Sequence, residues 1–177
     1  MQDLHTWSVT AMRSEPGLEW LEDRKEDWTP LLASKLKFLH DGFAFIVICD
    51  DERSWFSEYI IKKINSSTNS RPLLPFFSLR SLYRGGVNSL EDALLLNDML
   101  SLAFANGFIY FYIGNGNHPL AKIAKSHEDS YLWLIDERLQ NSFYMSESDP
   151  SLDLKLIQLF KILDKSINAV LFDEVVL

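Results

Sequence analysis

The carboxylates that follow the apolar runs are where this chain gathers groups able to do chemistry. Phe43–Cys49 (FAFIVIC) leads into Asp50-Asp51-Glu52-Arg53-Ser54. Adjacent carboxylates favour hard divalent cations, so one reading is a metal or acid cluster. The other is helix capping, with Asp51 at or near the cap and Glu52 against the positive end of the helix dipole. Capping accounts for the run without a ligand. A Mg²⁺ pocket of the response-regulator kind lacks a clear phosphoacceptor arrangement here. A phosphate is repelled by two or three negative charges, and no glycine in the run lets the backbone approach one.

Two further runs end in polar groups. Phe108–Ile113 (FIYFYI) leads into Gly114-Asn115-Gly116-Asn117-His118-Pro119. A strand–GxG–helix arrangement can cradle an anion in its amides. A dinucleotide fingerprint needs a third glycine where Pro119 stands, so a turn using the conformational freedom of Gly and Asn is the simpler reading. Tyr131–Ile135 (YLWLI) leads into Asp136-Glu137. Paired carboxylates can do acid–base work. No His or Lys is linked to them in sequence, and helix starts favour acids, so they too read as capping.

The histidines, His5, His40, His118 and His127, follow no zinc-ligand spacing. Cys49 ends a buried run and reads as core packing, and no serine sits in a G-x-S-x-G elbow. No catalytic, cofactor-binding or metal-binding residue is assigned, and the chain reads as a non-enzyme. The segment Leu79–Val87 (LRSLYRGGV) carries Arg80, Leu82, Tyr83 and Arg84, and Tyr and Arg are favoured anchors at protein interfaces. These four are candidate partner contacts, against the plainer reading of a surface loop whose apolar members tuck inward. Leu171 and Phe172 either pack on an N-terminal helix or grip a partner.

The elements that position these groups can be read from periodicity. The first, third and fourth apolar runs are continuous, as in strands buried on both faces. Leu73–Leu79 contains Pro75, which predicts an edge strand or one beginning near the proline. Ser142–Met145 (SFYM) predicts a short fifth strand. Helical patterns cover Trp28–Leu39, Ser54–Ile64, Leu90–Phe104 behind a Ser89 cap with an acid three residues on, a segment from Pro119, and Ser151–Phe172. Alternation of strand and helix predicts an α/β fold of three layers. This is a doubly wound, flavodoxin/SIS-like, mostly parallel sheet of four to five strands with helices on both faces. At 177 residues the chain reads as one domain: N-terminal helices over 1–42, sheet core over 43–150 and a long C-terminal helix over 151–172.

Two helices carry more apolar surface than their own core requires. The apolar residues of Ser151–Phe172 fill an arc of roughly 160° at 100° per residue. A core-facing stripe needs about 100° or a little more. Leu90–Phe104 is apolar almost all round. Both excesses predict a second subunit, with Leu94, Leu95, Met99, Leu102, Leu156, Ile157, Phe160 and Leu163 as interface candidates.

Composition narrows the setting. The formal net charge is −8, which disfavours direct binding to nucleic acid. No apolar run is long and uncharged enough to cross a membrane. The N-terminus reads as mature protein, and a single cysteine suits a reducing cytoplasm.

Several long blocks then carry a resemblance. RSWFSEYIIKKIN (Arg53–Asn65), RPLL (Arg71–Leu74), YLWLIDE (Tyr131–Glu137), SLDLKLIQLFK (Ser151–Lys161) and the ending VLFDEVVL are similar to the HobA family of bacterial DnaA-binding proteins, which promote replication initiation. Length and order agree, and the similarity is strongest over 43–74 and 130–177. The resemblance implies an SIS-like α/β fold, as in the related DnaA binder DiaA. It also implies a cytoplasmic homotetramer, binding to the N-terminal domains of DnaA, promotion of DnaA assembly at the origin, and no enzymatic activity or cofactor. The alternative on the same fold is a sugar-phosphate isomerase or sensor.

Overall fold

Runs apolar at every position become central strands only when both faces of the sheet are covered. In the computed structural model, which describes residues 2–177, that is the outcome. The chain runs β1 (Gln2–Asp3), α1 (Leu4–Arg13), α2 (Glu19–Glu22), α3 (Lys25–His40), β2 (Ala44–Cys49), a 3-10 turn (Asp51–Arg53), α4 (Ser54–Ile64), β3 (Phe76–Ser78), α5 (Leu79–Leu82), α6 (Leu90–Ala103), β4 (Phe108–Asn115), α7 (Pro119–Ser126), β5 (Tyr131–Ile135), β6 (Ser142–Met145), α8 (Leu152–Leu171) and β7 (Val175–Val176). Where the sequence counts a single domain, the chain divides into two compact units, 39–145 and 1–38 with 146–177. No helix among the described residues is long and apolar enough to cross a membrane.

The unit 39–145 holds a five-stranded parallel sheet in the order β3-β2-β4-β5-β6. Side chains alternate between its faces. Ala44, Ile46 and Ile48 join Tyr110, Tyr112 and Leu134 on one face, beneath Leu79 of α5, Leu96 and Leu100 of α6, and Ala121 and Ala124 of α7. On the other face Phe111 stacks on Tyr131 at 4.7 Å and meets Trp133 edge-on at 4.9 Å. Phe56 of α4 reaches Trp133 at 6.3 Å. Offset and edge-on ring pairs suit the aromatic quadrupole and lock this face beyond simple burial.

The edge prediction for Leu73–Leu79 is borne out. Pro75 has no N–H to give, yet its carbonyl accepts from Phe45 N at 2.8 Å, and β3 begins at the next residue. Capping at Asp136-Glu137 is corrected, because no helix follows β5. Asp136 takes a left-handed conformation (φ 57°), its N–H donates to Met145 O at 2.9 Å, and a short irregular segment leads directly to β6.

The unit 1–38 with 146–177 is helical, closed by a two-residue parallel pairing of β1 with β7 that no periodicity announced. Glu15 accepts from Lys161 Nζ at 2.6 Å and also pairs with Lys165. These lysines hold its carboxyl down at about 2. Trp20 Nε1 donates to Gln158 Oε1 at 2.9 Å, and Gln158 Nε2 donates to Gly17 O at 3.0 Å. Helix α8 buries Leu156, Leu159, Phe160, Leu163 and Ile167 within the chain. This corrects the assignment of Leu156, Phe160 and Leu163 to a subunit interface. The roughly 60° of arc beyond a minimal stripe is used largely by the chain itself, and Ile157 is half-buried.

Candidate functional site

In doubly wound sheets ligands collect beyond the carboxyl ends of the strands, where the strand order reverses. Here that point lies between β2 and β4, which pair in parallel while β3 and β5 lie outside them. The crevice is filled by the protein's own carboxylate. Asp50 is 3% exposed. Its Oδ1 accepts from Arg53 N at 3.0 Å, and its Oδ2 accepts from Asn115 N at 2.7 Å and from the Arg53 guanidinium at 2.6 Å. Arg53 is buried to the same degree. The amides that would cradle a phosphate are thus spent on the Asp50 side chain, four residues before α4 begins. The capping residue is Asp50 rather than Asp51, and what it caps is the 3-10 turn Asp51–Arg53, whereas the N-cap position of α4 is Arg53 and has no side-chain cap.

The glycine run at the end of β4 is fitted to this carboxylate. A Cβ on Gly114 (φ 155°) would sit 2.6 Å from Asp50 Oδ2. Asn115 Oδ1 accepts from Asn117 N at 2.9 Å, and His118 Nδ1 accepts from Leu120 N to cap α7 behind Pro119. The loop is a built turn, as its composition predicts. Lys125 of α7 joins it to Glu137, at 2.7 Å, while also donating to Gly116 O at 2.8 Å. So Glu137 pairs with a lysine twelve residues earlier, a link that sequence spacing does not reveal. The sugar-phosphate alternative finds no anion cradle at the switch point.

Beside the filled crevice is a cavity of about 360 Å³ at the ends of β2 and β3. Val47, Ile48, Leu79 and Val87 form its apolar wall, and Arg80, Tyr83 and Arg84 stand at it. Three of the four loop candidates therefore come together, while Leu82 is exposed and outside the lining. The predicted loop begins as α5, whose first residue, Leu79, is buried in the core and fixes the arginines that follow. Ser54, Ser57 and Glu58 of α4 line the same cavity and were not singled out. Their i, i+3, i+4 spacing opposite buried Phe56 and Ile60 is the signal that places them on one face.

Burial first, and the Asp50 charge second, push the Cys49 thiol far up, which disfavours the thiolate that nucleophilic chemistry needs. No group of three or more metal-ligating side chains occurs among the described residues. His127 packs against the Phe108 ring at 4.7 Å, and His5 lies beside Glu26. Outside the cavity, the apolar surface is concentrated on α6. Leu90 is 77% exposed, Leu94 57%, Leu95 53% and Leu102 88%, with Met99 also exposed. Leu171 and Phe172 are exposed at the end of α8, while Val175 beyond them is buried.

A sequence model described as "HobA: DNA replication regulator" matches residues 1–177. The DNA replication regulator protein HobA of Helicobacter pylori is 30% identical over 186 aligned positions, which cover all of both chains. The crystal structure of a HobA–DnaA (domain I-II) complex from Helicobacter pylori is similar with a TM-score of 0.80 at 26% identity, covering 100% of each chain. A crystal structure of HobA from the same organism gives a TM-score of 0.79 at 26% identity, covering 100% of this chain and 99% of that one.

Proposed function

The chain belongs to the HobA family of DNA replication regulators, and from that membership we propose that it is a non-enzymatic, cytoplasmic adaptor that binds the N-terminal domains of DnaA and promotes DnaA assembly at the replication origin. The observation that carries the reading is the full-length likeness to a HobA chain in complex with domains I-II of DnaA. The geometry supports it in two ways. The crevice where this fold keeps ligands is closed by Asp50, and the outer surface instead carries exposed leucines on α6 together with exposed Arg80 and Arg84, arginine being a favoured anchor of protein partners. The candidate contacts on this reading are exposed Arg80, Leu82, Arg84, Leu171 and Phe172, with half-buried Tyr83.

The mechanism is one of linkage. As a homotetramer the protein presents several equivalent sites, and DnaA copies held on one particle meet at high effective concentration. Avidity then rises by roughly 10²–10⁴ without any new contact. The adaptor need not touch DNA, and its net charge of −8 disfavours such contact. Light-scattering mass of the protein with and without the N-terminal DnaA domains tests both parts. The expected result is a multimer that gains mass in steps of one DnaA fragment. Absence of a gain defeats the adaptor reading, and a single-chain particle defeats the linkage mechanism.

A further inference from the structure

At the amino side of the sheet, away from the filled crevice, the unit 39–145 holds a second cleft of about 580 Å³. The crossover helices of a parallel sheet return against the strands, so α6 and α7 both end on this side. Their last carbonyls bring the negative ends of two helix dipoles to the cleft. Among the described residues neither end is matched by a cation. Helix α6 has no basic residue in its last turn, and Lys125 of α7 spends its amine on Gly116 O and Glu137, beyond the far end of β4. No Lys or Arg lines the cleft. Glu128 and Asp129 do, and Glu128 forms no ion pair among the described residues.

The neutral groups of the cleft are acceptors too. His127 Nδ1 lies 2.6 Å from Glu128 O, and a carbonyl can only accept, so the ring hydrogen sits on Nδ1 and Nε2 of the neutral ring keeps its lone pair. Nε2 makes no hydrogen bond among the described residues and is not sealed from solvent. Ser101 Oγ donates to Asn97 O at 2.8 Å, and Ser126 Oγ donates to Ile123 O at 2.8 Å. Both hydroxyl hydrogens are thus spent, and the oxygens are left to accept. Among the described side chains that line the cleft, only Asn97 retains hydrogens to donate. Phe43, Phe104 and Phe108 wall the same space, with His127 4.7 Å from Phe108. A hard metal ion gains nothing from such walls, whereas aromatic faces attract an ammonium and pack against methylene groups. We propose that this cleft binds an aliphatic diamine in its diammonium form. One end donates to His127 Nε2 and the carboxylates of Glu128 and Asp129, the other to Ser101 Oγ and the last carbonyls of α6, and the methylene chain lies along the phenylalanine rings. The volume is that of a small-molecule site, and a single ammonium would answer only one of the two negative helix ends. The inference is independent of DnaA and of self-association.

Isothermal titration calorimetry of the full chain with 1,4-diaminobutane tests it, in about 0.15 M salt to screen diffuse attraction to an acidic protein. One saturable site per chain is expected. Glu128→Gln combined with Asp129→Asn is expected to weaken it by roughly tenfold or more. Asparagine tolerates the left-handed backbone at 129 (φ 64°), so the double variant keeps the fold. His127→Phe retains a ring against Phe108 and removes Nε2, and it is expected to weaken binding to a similar degree. Thermal unfolding without ligand reports whether each variant is folded, and the diamine should raise the melting temperature of the wild type more than that of either variant. Should His127→Phe fail to fold, the double variant decides. 1-Aminobutane, with one ammonium on the same chain, is expected to bind at least roughly tenfold more weakly. The proposal is overturned if no saturable heat appears, if equimolar Mg²⁺ displaces the diamine, or if 1-aminobutane binds equally well. It is also overturned if the folded double variant binds as the wild type does, since binding then follows the net charge of −8 and not this cleft.

Discussion

Removing one partner of a buried ion pair strands the other charge in a medium that solvates it poorly. Asp50 and Arg53 are such a pair, and Asp50 also satisfies two backbone amides. Asp50→Ala is therefore expected to cost about 3–5 kcal/mol in urea unfolding, well above a typical point substitution. Gly114→Ala should be destabilising in the same assay, because its Cβ would press on the Asp50 carboxylate. Glu15 gives a pH signature of the opposite kind. Its carboxyl falls from about 4.5 to about 2 through Lys161 and Lys165. A folded value below the unfolded one means that the stabilisation is complete above about pH 4.5 and is lost as pH falls toward 2. The partly exposed setting limits its size to about 1 kcal/mol or less. The stability difference between wild type and Glu15→Gln should shrink on acidification across that window, and a constant difference would remove the ion-pair explanation.

At the scale of elements, each helix is held by a different balance. Helix α6 begins with a reciprocal capping box, in which Asp92 N donates to Ser89 Oγ at 3.1 Å and Ser89 N donates to Asp92 Oδ2 at 3.1 Å. Ser89→Ala should cost about 1 kcal/mol, read from the urea midpoint. Helix α8 instead depends on burial. Leu156→Ala should cost about 2–5 kcal/mol, whereas Leu154→Ala, on the exposed side of the same helix, should stay within about 0.5 kcal/mol. Equal losses would mean that α8 is covered on both sides in solution, contrary to its exposure in the single chain. The sheet needs no such cap. Its central strands bury every side chain but the terminal Cys49 and Asn115, which are half-buried, so their ends are set by where the aromatic pairs and the parallel ladder stop.

At the scale of the whole molecule, function on the proposed reading is a property of number. One site binds one DnaA domain with ordinary affinity, and several sites on one particle slow the release of a DnaA assembly. A dissociated variant is expected to bind an isolated N-terminal DnaA domain as the wild type does. Its retention on a surface coated with full-length DnaA should fall by roughly 10²–10⁴. If retention is unchanged, linkage contributes nothing and a direct effect on DnaA conformation must replace it. The filled switch point carries its own whole-molecule consequence. Sugar phosphates in excess should leave the melting temperature where it is, since a ligand that binds the folded state must raise it.

Pattern and punctuation alone determined the α/β alternation, the edge position of the strand after Pro75, the Ser89 cap and the absence of a fingerprint at Pro119. Each of these depends on local sterics or on a period, both of which are written in neighbouring residues. They also placed Arg80, Tyr83 and Arg84 in one candidate segment, though not on the cavity that Ser54, Ser57 and Glu58 share with them. Only the folded chain decided that Asp50 rather than Asp51 is the cap, that Asn115 supplies it an amide from 65 positions away, and that Glu137 answers Lys125 instead of starting a helix. The excess of apolar residues was legible in both α6 and α8. Which excess the chain buries itself was not, because burial depends on what packs opposite a face, and periodicity describes one side of a contact only.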